Sequence, residues 1–403
     1  MPDGSNDTWL YDTSDNHLIS NTFGEINPHS DITTDSEIVP NIENGDIVKK
    51  IAIIESLEII LGTNCNFTCK ICPQTAKKEL FHSSSPKDVD RFIELLTIAK
   101  EQGLSPKHIR YWGGEPLVYW KTLKHLIPKI HGLFGKNVVV SLTSNGSLLT
   151  REMVDLFTEY GIHLNISHDG GDIGNRDWDV LNNEKTKEVI EYAQDKMGNN
   201  FAFMTTLMKG TSNLYNKFDY FDKKTPKQFK ISVVEYRYNE MNKGVSERFS
   251  SDDKTDVTKG VYNALTCEEI KNRLTHISTR YFANRLITRS SIDQAIYDNC
   301  NQSTVLTVDL SGNVFSCKIR TQNIGNLTNL QDYISHDNIG WKNRKNCPTC
   351  PLIHVCGGGC VRQSEWEHEF TCEDSFYPIS LGIFKATFKE LFNVDIVGIT
   401  PHE

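Results

Sequence analysis

The sequence predicts an α/β protein: a partial (β/α)6 TIM-type barrel followed by a small cysteine-rich domain with a β-hairpin. Between residues 50 and 240, short apolar runs alternate with longer amphipathic segments, which is typical of βαβ units on a parallel sheet. Beyond residue 260 the cysteines become dense, with eight of the chain's 11 lying there. A chain of 403 residues is long enough to form more than one such domain.

Six apolar runs are candidate strands of the barrel: Ser56–Leu61, His108–Trp112, Val138–Thr143, His163–Ser167, Phe201–Leu207 and Lys230–Tyr236. The candidate helices lie between them, at about 87–102, 118–133, 150–160, 183–197 and 213–222. Right-handed crossovers would wind these units into an open or partly closed barrel, with the chemistry at the carboxyl ends of the strands. Farther along, Thr304–Asp309 and Val314–Ile319 flank Ser311-Gly312-Asn313, which predicts the hairpin.

The flanking segments differ in character from the barrel. Residues 1–48 are acidic and polar, and form either a solvated tail or a segment that folds back as a cap. Residues 241–265 are interpreted as a linker, because their charged first part has no apolar period. The cysteine-rich domain is placed at 266–385 and a C-terminal tail at 386–403.

Composition excludes several classes of function. The net charge is −9, and the first 50 residues hold ten acids against two lysines, so the body is nearly neutral and argues against a nucleic-acid partner. The sequence contains no run of about 18 apolar residues, so no membrane span is predicted. The first residues lack a basic and apolar signal, and an odd number of cysteines does not suit a disulfide framework. These features predict a cytoplasmic protein whose cysteines bind metal.

The first cysteine cluster directly follows the first predicted strand. Cys65, Cys69 and Cys72 have the spacing C-x3-C-x2-C, which fits one tight loop. A four-iron cluster is normally held by four thiolates, so three would leave one iron open. A zinc site short of one ligand, or plain reduced thiols, are the alternatives.

Three further motifs each close a predicted strand. Gly113-Gly114-Glu115-Pro116 follows the second strand, Thr143-Ser144-Asn145-Gly146 the third and Ser167-His168-Asp169-Gly170 the fourth. Together with the cysteine spacing, this series resembles the radical S-adenosylmethionine (radical SAM) enzymes. One departure is Ile71, since the position before the third cysteine is usually aromatic in that family; Phe67 is the candidate substitute.

The resemblance implies that S-adenosylmethionine chelates the open iron. The residues expected to contact it are Gly113, Gly114, Glu115, Asn145, Ser167 and Arg176. The glycines would allow a close backbone approach to the methionine moiety. Glu115 would accept hydrogen bonds from its ammonium group. For Arg176, a solvated surface position is the alternative.

The C-terminal cysteines resemble the seven-cysteine pattern of the SPASM domain, which carries two auxiliary four-iron clusters. The seven positions are Cys300, Cys317, Cys347, Cys350, Cys356, Cys360 and Cys372. By this resemblance, Cys347, Cys350, Cys356 and Cys372 hold the outer cluster, and Cys300, Cys317 and Cys360 hold the inner one. The fourth ligand of the inner cluster is Cys267, the substrate, or nothing. A zinc ribbon is the alternative, because C-x2-C pairs also suit zinc.

The resemblance further implies three [4Fe-4S] clusters, an external one-electron reductant of flavodoxin or ferredoxin type, and a 5′-deoxyadenosyl radical that takes a hydrogen atom from the substrate. SPASM enzymes mostly modify peptides by crosslinking, epimerisation or oxidation, so a peptide or protein substrate is expected. Lys318 follows Cys317, where the sulfatase-maturing branch has an acid. A small-molecule substrate or a non-catalytic scaffold are the alternatives.

No catalytic side chain is identified from the sequence alone, and there are two weak candidates. Cys267 is a fourth ligand, a hydrogen-atom donor or a plain buried thiol. His168 faces the barrel mouth or is a hydrogen-bonded structural histidine.

Overall fold

The computed structural model describes residues 9–12, 17–20, 24–25, 54–70, 72, 81–171, 176–225, 229–235, 248–275, 305–315, 317–318, 323–328, 341–360, 363–397 and 399. Near the N-terminus, three short strands form an antiparallel sheet: β1 (Trp9–Asp12), β2 (His17–Ser20) and β3 (Gly24–Glu25). This part of the acidic segment is therefore ordered as strands and is not a structureless tail. Its role as a cap stays a prediction.

The central sheet contains the six predicted strands in chain order. They are β4 (Ser56–Ile60), β5 (His108–Trp112), β6 (Val139–Ser144), β7 (His163–Ser167), β8 (Phe201–Leu207) and β9 (Lys230–Glu235). Each strand pairs in parallel with the next. The carboxyl ends of all six strands therefore meet at one edge of the sheet.

Helices connect these strands and cover one face of the sheet. They are α1 (Val89–Glu101), α2 (Trp120–Phe134), α3 (Arg151–Glu159), α4 (Glu184–Met197) and α5 (Leu214–Lys224). One continuous apolar core joins them to the strands, and contains residues such as Leu57, Ile109, Phe157 and Phe203. The partial (β/α)6 barrel is confirmed, with every predicted strand and helix end within two residues of its observed position.

The hairpin extends the same sheet beyond its first strand. Strand β10 (Val305–Asp309) pairs in parallel with β4, and β11 (Asn313–Phe315) and β12 (Asn323–Asn326) follow antiparallel. The turn depends on Asp309, whose carboxylate accepts hydrogen bonds from the backbone N–H groups of Ser311 and Asn313. The cysteine-rich region is therefore joined to the barrel through one sheet.

The second half of the predicted linker is a helix. Helix α6 (Ser251–Thr266) begins with a capping box, in which Ser250 and Asp253 satisfy each other's backbone N–H groups. Its buried face includes Val257, Gly260 and Ala264. Residues 251–265, which the sequence assigned to a linker, thus lie in a helix whose apolar period begins only at Val257.

The remaining helices belong to the C-terminal region, apart from the short α7 (Glu268–Lys271) after α6. They are α8 (Ile353–Cys356), α9 (Glu365–Thr371) and α10 (Tyr377–Phe392). One π-helical segment, Cys372–Phe376, joins the last two. Helix α10 crosses residue 386, so the predicted C-terminal tail begins inside a helix.

A Cβ on Gly382 of α10 would lie 2.8 Å from the carbonyl oxygen of Thr258, so α6 and α10 pack very closely.

Candidate active site

The predicted cluster-binding segment, residues 61–72, follows β4 and is called the cysteine loop below. Its second residue, Gly62, has a φ of 140°, a backbone conformation that residues other than glycine rarely adopt. A Cβ there would lie 2.2 Å from the Oη of Tyr119, and that oxygen accepts a hydrogen bond from the backbone N–H of Asn64 at 2.9 Å. The buried Tyr119 thus fixes the start of the loop.

The Gly-Gly-Glu segment after β5 pairs directly with this loop. The backbone N–H of Gly114 donates to Gly62 O at 3.0 Å, and that of Glu115 donates to Asn64 O at 2.9 Å. A Cβ on Gly114 would lie 2.4 Å from the carbonyl oxygens of Thr63 and Asn64. These contacts require glycine for packing on the loop, and contact of Gly113 and Gly114 with S-adenosylmethionine stays a prediction.

Glu115 joins the ends of β5 and β6 in the interior. Its carboxylate accepts hydrogen bonds from the Leu117 N–H at 2.9 Å, the Ser144 hydroxyl at 2.7 Å and the Asn145 N–H at 2.7 Å. Burial raises the pKa of this carboxyl, and the three hydrogen bonds only partly offset that effect. Glu115 therefore holds the strand ends together, and its contact with the ammonium group of S-adenosylmethionine stays a prediction.

Asn145 connects the end of β6 to the cysteine loop. Its side-chain N–H donates to the Asn66 side-chain oxygen at 3.0 Å, and its own Oδ1 accepts from the Ser147 hydroxyl at 2.6 Å. The Asn66 amide in turn donates to that hydroxyl at 2.8 Å. The predicted residue thus lies beside the predicted cysteines, as a cofactor contact would require.

Arg176 lies on the loop after β7 and is held by a buried carboxylate. Its Nε and a second guanidinium nitrogen donate to the two oxygens of Asp169, at 2.5 and 3.0 Å. Burial lowers the pKa of the guanidinium, but the charge and hydrogen bonds of Asp169 outweigh it and raise the pKa, with smaller contributions from Cys69 and Cys72. Arg176 is therefore not a freely solvated arginine.

The next two residues hold the middle of the cysteine loop. The carboxylate of Asp177 accepts hydrogen bonds from both the backbone N–H and the hydroxyl of Thr68. The ring of Trp178 packs edge-on against Phe67, with centroids 6.1 Å apart. Phe67, the proposed substitute for an aromatic residue at 71, thus has an aromatic partner; Ile71 itself lies outside the described residues.

The three thiols of the cysteine loop interact electrostatically with one another. Partial desolvation by the surrounding protein, with smaller contributions from Glu115 and the other two cysteines, raises the pKa of Cys65 to about 11 despite a hydrogen bond from the Phe67 N–H. Among the described residues, no three His, Cys, Asp or Glu side chains converge closely enough to hold a single metal ion. The fit to a four-iron cluster therefore rests on the donor set, three soft thiolates on one loop.

His168 and Ser167, at the end of β7, occupy different surroundings. The imidazole of His168 is buried, with Nε2 at 2.8 Å from Asp179 and Nδ1 accepting a hydrogen bond from the Gly170 N–H at 3.0 Å. Both ring nitrogens are engaged, so the geometry favours the structural role. Ser167 is half-buried on the other face of the strand and remains a candidate contact for the cofactor.

Four C-terminal cysteines are near enough to interact electrostatically, although no three of the described ligand side chains converge on a single metal ion. The pKa of Cys356 is raised well above its usual range by burial first and then by Cys372, Cys347 and Cys350. Burial first, and then the charges of Cys350, Cys347, Glu373 and Glu369, raise the pKa of Cys372 to about 12. The four cysteines considered below are Cys347, Cys350, Cys356 and Cys372. These four residues, called the auxiliary cysteine group below, are those that the resemblance implies for the outer cluster.

Buried charged residues hold this group in place. Asp374, in the π-helical segment after Cys372, accepts hydrogen bonds from Arg248 at 2.7 and 3.0 Å and from the Phe249 N–H at 3.0 Å. Arg344 is buried and donates to the backbone oxygens of Cys360 and Gln363, at 3.0 and 2.8 Å. The segments that carry the cysteines are thus fixed to the surrounding helices and loops.

The other predicted ligands are located less fully. Cys360 is buried and packs with Cys356 and Phe376, and Cys317 follows the hairpin. Cys300 lies outside the described residues. Cys267 is half-buried between α6 and α7 and packs against the main core, which is where a plain structural thiol would lie. Its role as a fourth ligand stays a prediction.

Sequence reasoning missed the residues that support the site, among them Tyr119, Asp169, Asp177 and Trp178. Asp169 lay inside a motif already singled out, so its carboxylate could have been paired with Arg176. Nothing in the sequence pairs Tyr119 with Gly62 or Asp177 with Thr68, since 57 and 109 residues separate them.

The comparisons with known proteins agree with this site. The family model described as the radical SAM superfamily matches residues 59–213, which include the cysteine loop and the strand-end motifs after β5, β6 and β7. This part of the chain, which is less than half of its length, is a radical SAM domain. Members of this superfamily bind S-adenosylmethionine and a [4Fe-4S] cluster, and the cysteine loop carries three thiols of the kind that hold such a cluster.

Curated relatives point to more than one reaction. The chain is 23% identical over 362 residues to the radical SAM cyclopropyl synthase TigE of Paramaledivibacter caminithermalis, covering 80% of this chain and 70% of that protein. It is 25% identical over 232 residues to the GTP 3′,8-cyclase of Helicobacter pylori, covering 56% of this chain and 70% of that enzyme.

Solved structures share the fold beyond the radical SAM domain. The structure of anSMEcpe with bound AdoMet and the Cp18Cys peptide has a TM-score of 0.62 at 17% identity, over 84% of this chain and 98% of that one. Streptococcus suis SuiB bound to the precursor peptide SuiA has a TM-score of 0.53 at 17% identity, over 78% of this chain and 74% of that one. At such identities the likeness is one of fold.

Among the helices in the described part of the chain, none is long and apolar enough to cross a membrane.

Proposed function

We propose that this protein is a radical SAM maturase that modifies a peptide or protein with the help of two auxiliary four-iron clusters. The main support is that one sheet joins the radical SAM domain to the region that carries the auxiliary cysteine group. A radical SAM domain alone would need only the three thiols of the cysteine loop.

The roles of the chain's own residues follow from the contacts above. Cys65, Cys69 and Cys72 would hold the cluster that, once reduced, cleaves S-adenosylmethionine to methionine and a 5′-deoxyadenosyl radical. Arg176, fixed by Asp169, would stand near that cluster as a cation for the carboxylate of S-adenosylmethionine. Asn145 and Ser167 would bind its polar groups, and the strand ends would hold the nucleotide against the barrel.

The auxiliary cysteine group would hold the outer cluster. Cys300, Cys317 and Cys360 would hold the inner one, with Cys267, the substrate or no residue as its fourth ligand. Such clusters would accept the electron that remains when a bond forms, or would anchor the substrate. An external flavodoxin or ferredoxin would supply the first electron.

A peptide substrate is favoured over a small molecule by the structural neighbours. The anSMEcpe structure contains the Cp18Cys peptide and the SuiB structure the precursor peptide SuiA, and the anSMEcpe chain is covered almost entirely. The relatives named as GTP cyclases support the second candidate, a small-molecule cyclase, although they match a shorter part of this chain. The name of TigE supports formation of a carbon–carbon bond.

The radical chemistry is tested on the purified protein under anaerobic conditions. After reconstitution with iron and sulfide, it is incubated with S-adenosylmethionine and dithionite. We expect 5′-deoxyadenosine, and none from a Cys65→Ala/Cys69→Ala/Cys72→Ala variant. Intact clusters without any 5′-deoxyadenosine would contradict the proposal and favour a non-catalytic scaffold.

The substrate class is tested with a short peptide encoded beside the gene, compared with GTP. A crosslink or oxidation removes two hydrogens from the peptide, whereas epimerisation in deuterated water exchanges one hydrogen for deuterium. Either change in the peptide mass supports the proposal. Conversion of GTP, with the peptide unaltered, would favour the cyclase.

A further inference from the structure

A short turn directly after β7 carries the carboxylate that holds Arg176, and this turn lies against helix α5. Its glycine, Gly170, has a φ of 64°. A Cβ there would lie 3.1 Å from the side chains of both Lys217 and Phe221. These two residues of α5 are four positions apart, so they share one face of the helix. The turn that holds Arg176 is therefore packed directly on that face.

Lys217 places a buried ammonium group on the backbone of this turn. The residue is 1% exposed. Its Nζ donates a hydrogen bond to the backbone oxygen of Asp169 and lies 3.4 Å from that of Thr206, at the end of β8. The Thr206 N–H in turn donates to the Asp169 carboxylate at 2.9 Å. One lysine of α5 thus connects the turn after β7 with the end of the neighbouring strand.

The stability of the fold alone does not account for a lysine at this position. Burial lowers the pKa of Lys217 to about 8; the charge of Asp169 opposes this change and that of Arg176 adds to it. A buried charge is costly, and a well-packed apolar side chain in its place often leaves a protein equally stable or more so. A positional role for the ammonium group explains why the charge is there.

The contacts continue from Lys217 toward the cysteine loop. Both carboxylate oxygens of Asp169 accept hydrogen bonds from Arg176. The charge of Arg176 interacts in turn with those of Cys69 and Cys72. A change in the position of the Asp169 backbone would therefore move the guanidinium relative to the thiols.

We propose that Lys217 is a positioning residue for S-adenosylmethionine: through the backbone of Asp169, it holds Arg176 where the guanidinium binds the carboxylate of the methionine moiety. The inference rests on the proposed function, in which Arg176 is the cation for that carboxylate. Lys217 acts through Arg176 and not by contact with S-adenosylmethionine, since its ammonium group already binds backbone oxygens. It therefore affects the affinity for S-adenosylmethionine more than the rate of its cleavage.

The test separates the binding of S-adenosylmethionine from its cleavage. Formation of 5′-deoxyadenosine by the anaerobically reconstituted wild type and Lys217→Met is measured over a range of S-adenosylmethionine concentrations. Binding is measured independently, from the change that S-adenosylmethionine causes in the EPR signal of the dithionite-reduced cluster. We expect the KM and the concentration at half of the EPR change to rise roughly tenfold in Lys217→Met, as for loss of one charged hydrogen bond, while kcat stays within about twofold.

Two other variants of α5 are the controls. Lys223→Met removes a lysine that is 73% exposed and pairs with Asp219 at 2.6 Å, and it should leave the KM unchanged. Phe218→Leu alters a buried ring that packs on Phe229, so it should lower the melting temperature but not change the KM. These controls separate loss of a surface charge and loss of packing from loss of the contact with Asp169.

A double-mutant cycle shows whether Lys217 acts through Arg176. Arg176→Gln alone should raise the KM at least as much as Lys217→Met, and the double variant should have the KM of Arg176→Gln. Gly170→Ala displaces the turn in a second way, because the added Cβ would press against Lys217 and Phe221. It should also raise the KM, and it tests the inference if Lys217→Met does not fold.

Three outcomes would overturn the inference: an unchanged KM in Lys217→Met, a fall in kcat without a rise in KM, or increases in KM that multiply in the double variant. If Lys217→Met does not fold, an unchanged KM in Gly170→Ala has the same consequence. Any of these results, with 5′-deoxyadenosine formed by the wild type, would refute this inference alone. Absence of 5′-deoxyadenosine from the wild type would refute the proposed function.

Discussion

The two cysteine-bearing regions are stabilised in different ways. In the cysteine loop, Cys65 is exposed and Cys69 and Cys72 are half-buried. The loop is held by hydrogen bonds donated from the segments after β5 and β6 and by one that it donates to the segment after β7. In the auxiliary cysteine group, Cys347 and Cys356 are buried, and the thiols themselves form part of the packing.

This difference fits two different tasks. A loop positioned by its neighbours leaves its thiols accessible, so a cofactor can approach one side. Thiols inside a packed region are closed to ligands, which suits a site that holds charge or structure. The cysteine loop should therefore lose its cluster when the residues that support its backbone are altered. The auxiliary cysteine group should lose stability when one of its thiols is removed.

The largest effect should come from Gly114→Ala. A Cβ there would lie 2.4 Å from two backbone oxygens of the cysteine loop, so the loop must move. We expect loss of about four irons per chain and a fall of roughly 100-fold or more in 5′-deoxyadenosine formation. Gly132→Ala, in α2 with nothing within 4 Å, should retain both properties. A fully loaded Gly114→Ala protein would contradict this account of the loop.

Removal of one thiol should affect the two regions unequally. We expect Cys356→Ala to lower the melting temperature of the reconstituted protein by several degrees, because the buried thiol and its cluster are lost together. Cys65→Ala should leave the melting temperature nearly unchanged, since hydrogen bonds still hold that loop. Anaerobic calorimetry compares the melting temperatures of the two variants with that of the wild type. Equal decreases in melting temperature would contradict the distinction between the two regions.

Asp169→Asn tests whether buried charge supports the first region. Asp169 is the carboxylate partner of Arg176, and the ammonium group of buried Lys217 lies against its backbone oxygen. Loss of the carboxylate should lower the free energy of unfolding, measured in urea, by about 3–5 kcal/mol. It should also raise the KM for S-adenosylmethionine. Asp219→Asn removes only an exposed pair with Lys223 and should cost at most about 0.5 kcal/mol. Similar losses in both variants would argue against this role of Asp169.

The smallest effect concerns acid stability near His168. Burial raises the pKa of Asp179, but hydrogen bonds from His168, Tyr220 and the Leu181 N–H outweigh it and lower the pKa to about 2. A carboxyl with a lowered pKa stabilises the fold above its unfolded pKa, and that contribution is lost as the pH falls through 2. The free energy of unfolding of the wild type should exceed that of Asp179→Asn by about 2 kcal/mol at pH 6. This difference should disappear between about pH 4 and 2. A gap that did not vary with pH would show that the carboxylate charge is not involved.

The sequence predicted the barrel well because its signals are local. Each strand is a short apolar run, and each helix has an apolar period, so their ends lie within two residues of the prediction. Helix α6 was missed because its close contacts use small residues. A Cβ on Gly260 would lie 2.6 Å from the Leu214 backbone nitrogen, so glycine marks tight packing there and not a linker.

The candidate site was predictable only in part. Cysteine spacing singled out the auxiliary cysteine group, whose members are near enough to interact electrostatically, and their role as cluster ligands stays a prediction. The supports of the cysteine loop depend on contacts between distant segments, such as Thr68 with Asp177, for which spacing gives no signal. The contact of Lys217 with the backbone of Asp169 likewise depends on how α5 packs against the ends of β7 and β8.

The central claim is that the cysteine loop holds a four-iron cluster with one iron open to S-adenosylmethionine, separate from the auxiliary clusters. The direct measurement is anaerobic iron and sulfide analysis with EPR, on the wild type and on the Cys65→Ala/Cys69→Ala/Cys72→Ala variant. We expect about twelve irons per chain to fall to about eight, together with loss of the one EPR signal that responds to S-adenosylmethionine. Zinc in place of iron, loss of all iron in the variant, or a response to S-adenosylmethionine that survives in the variant would contradict the claim.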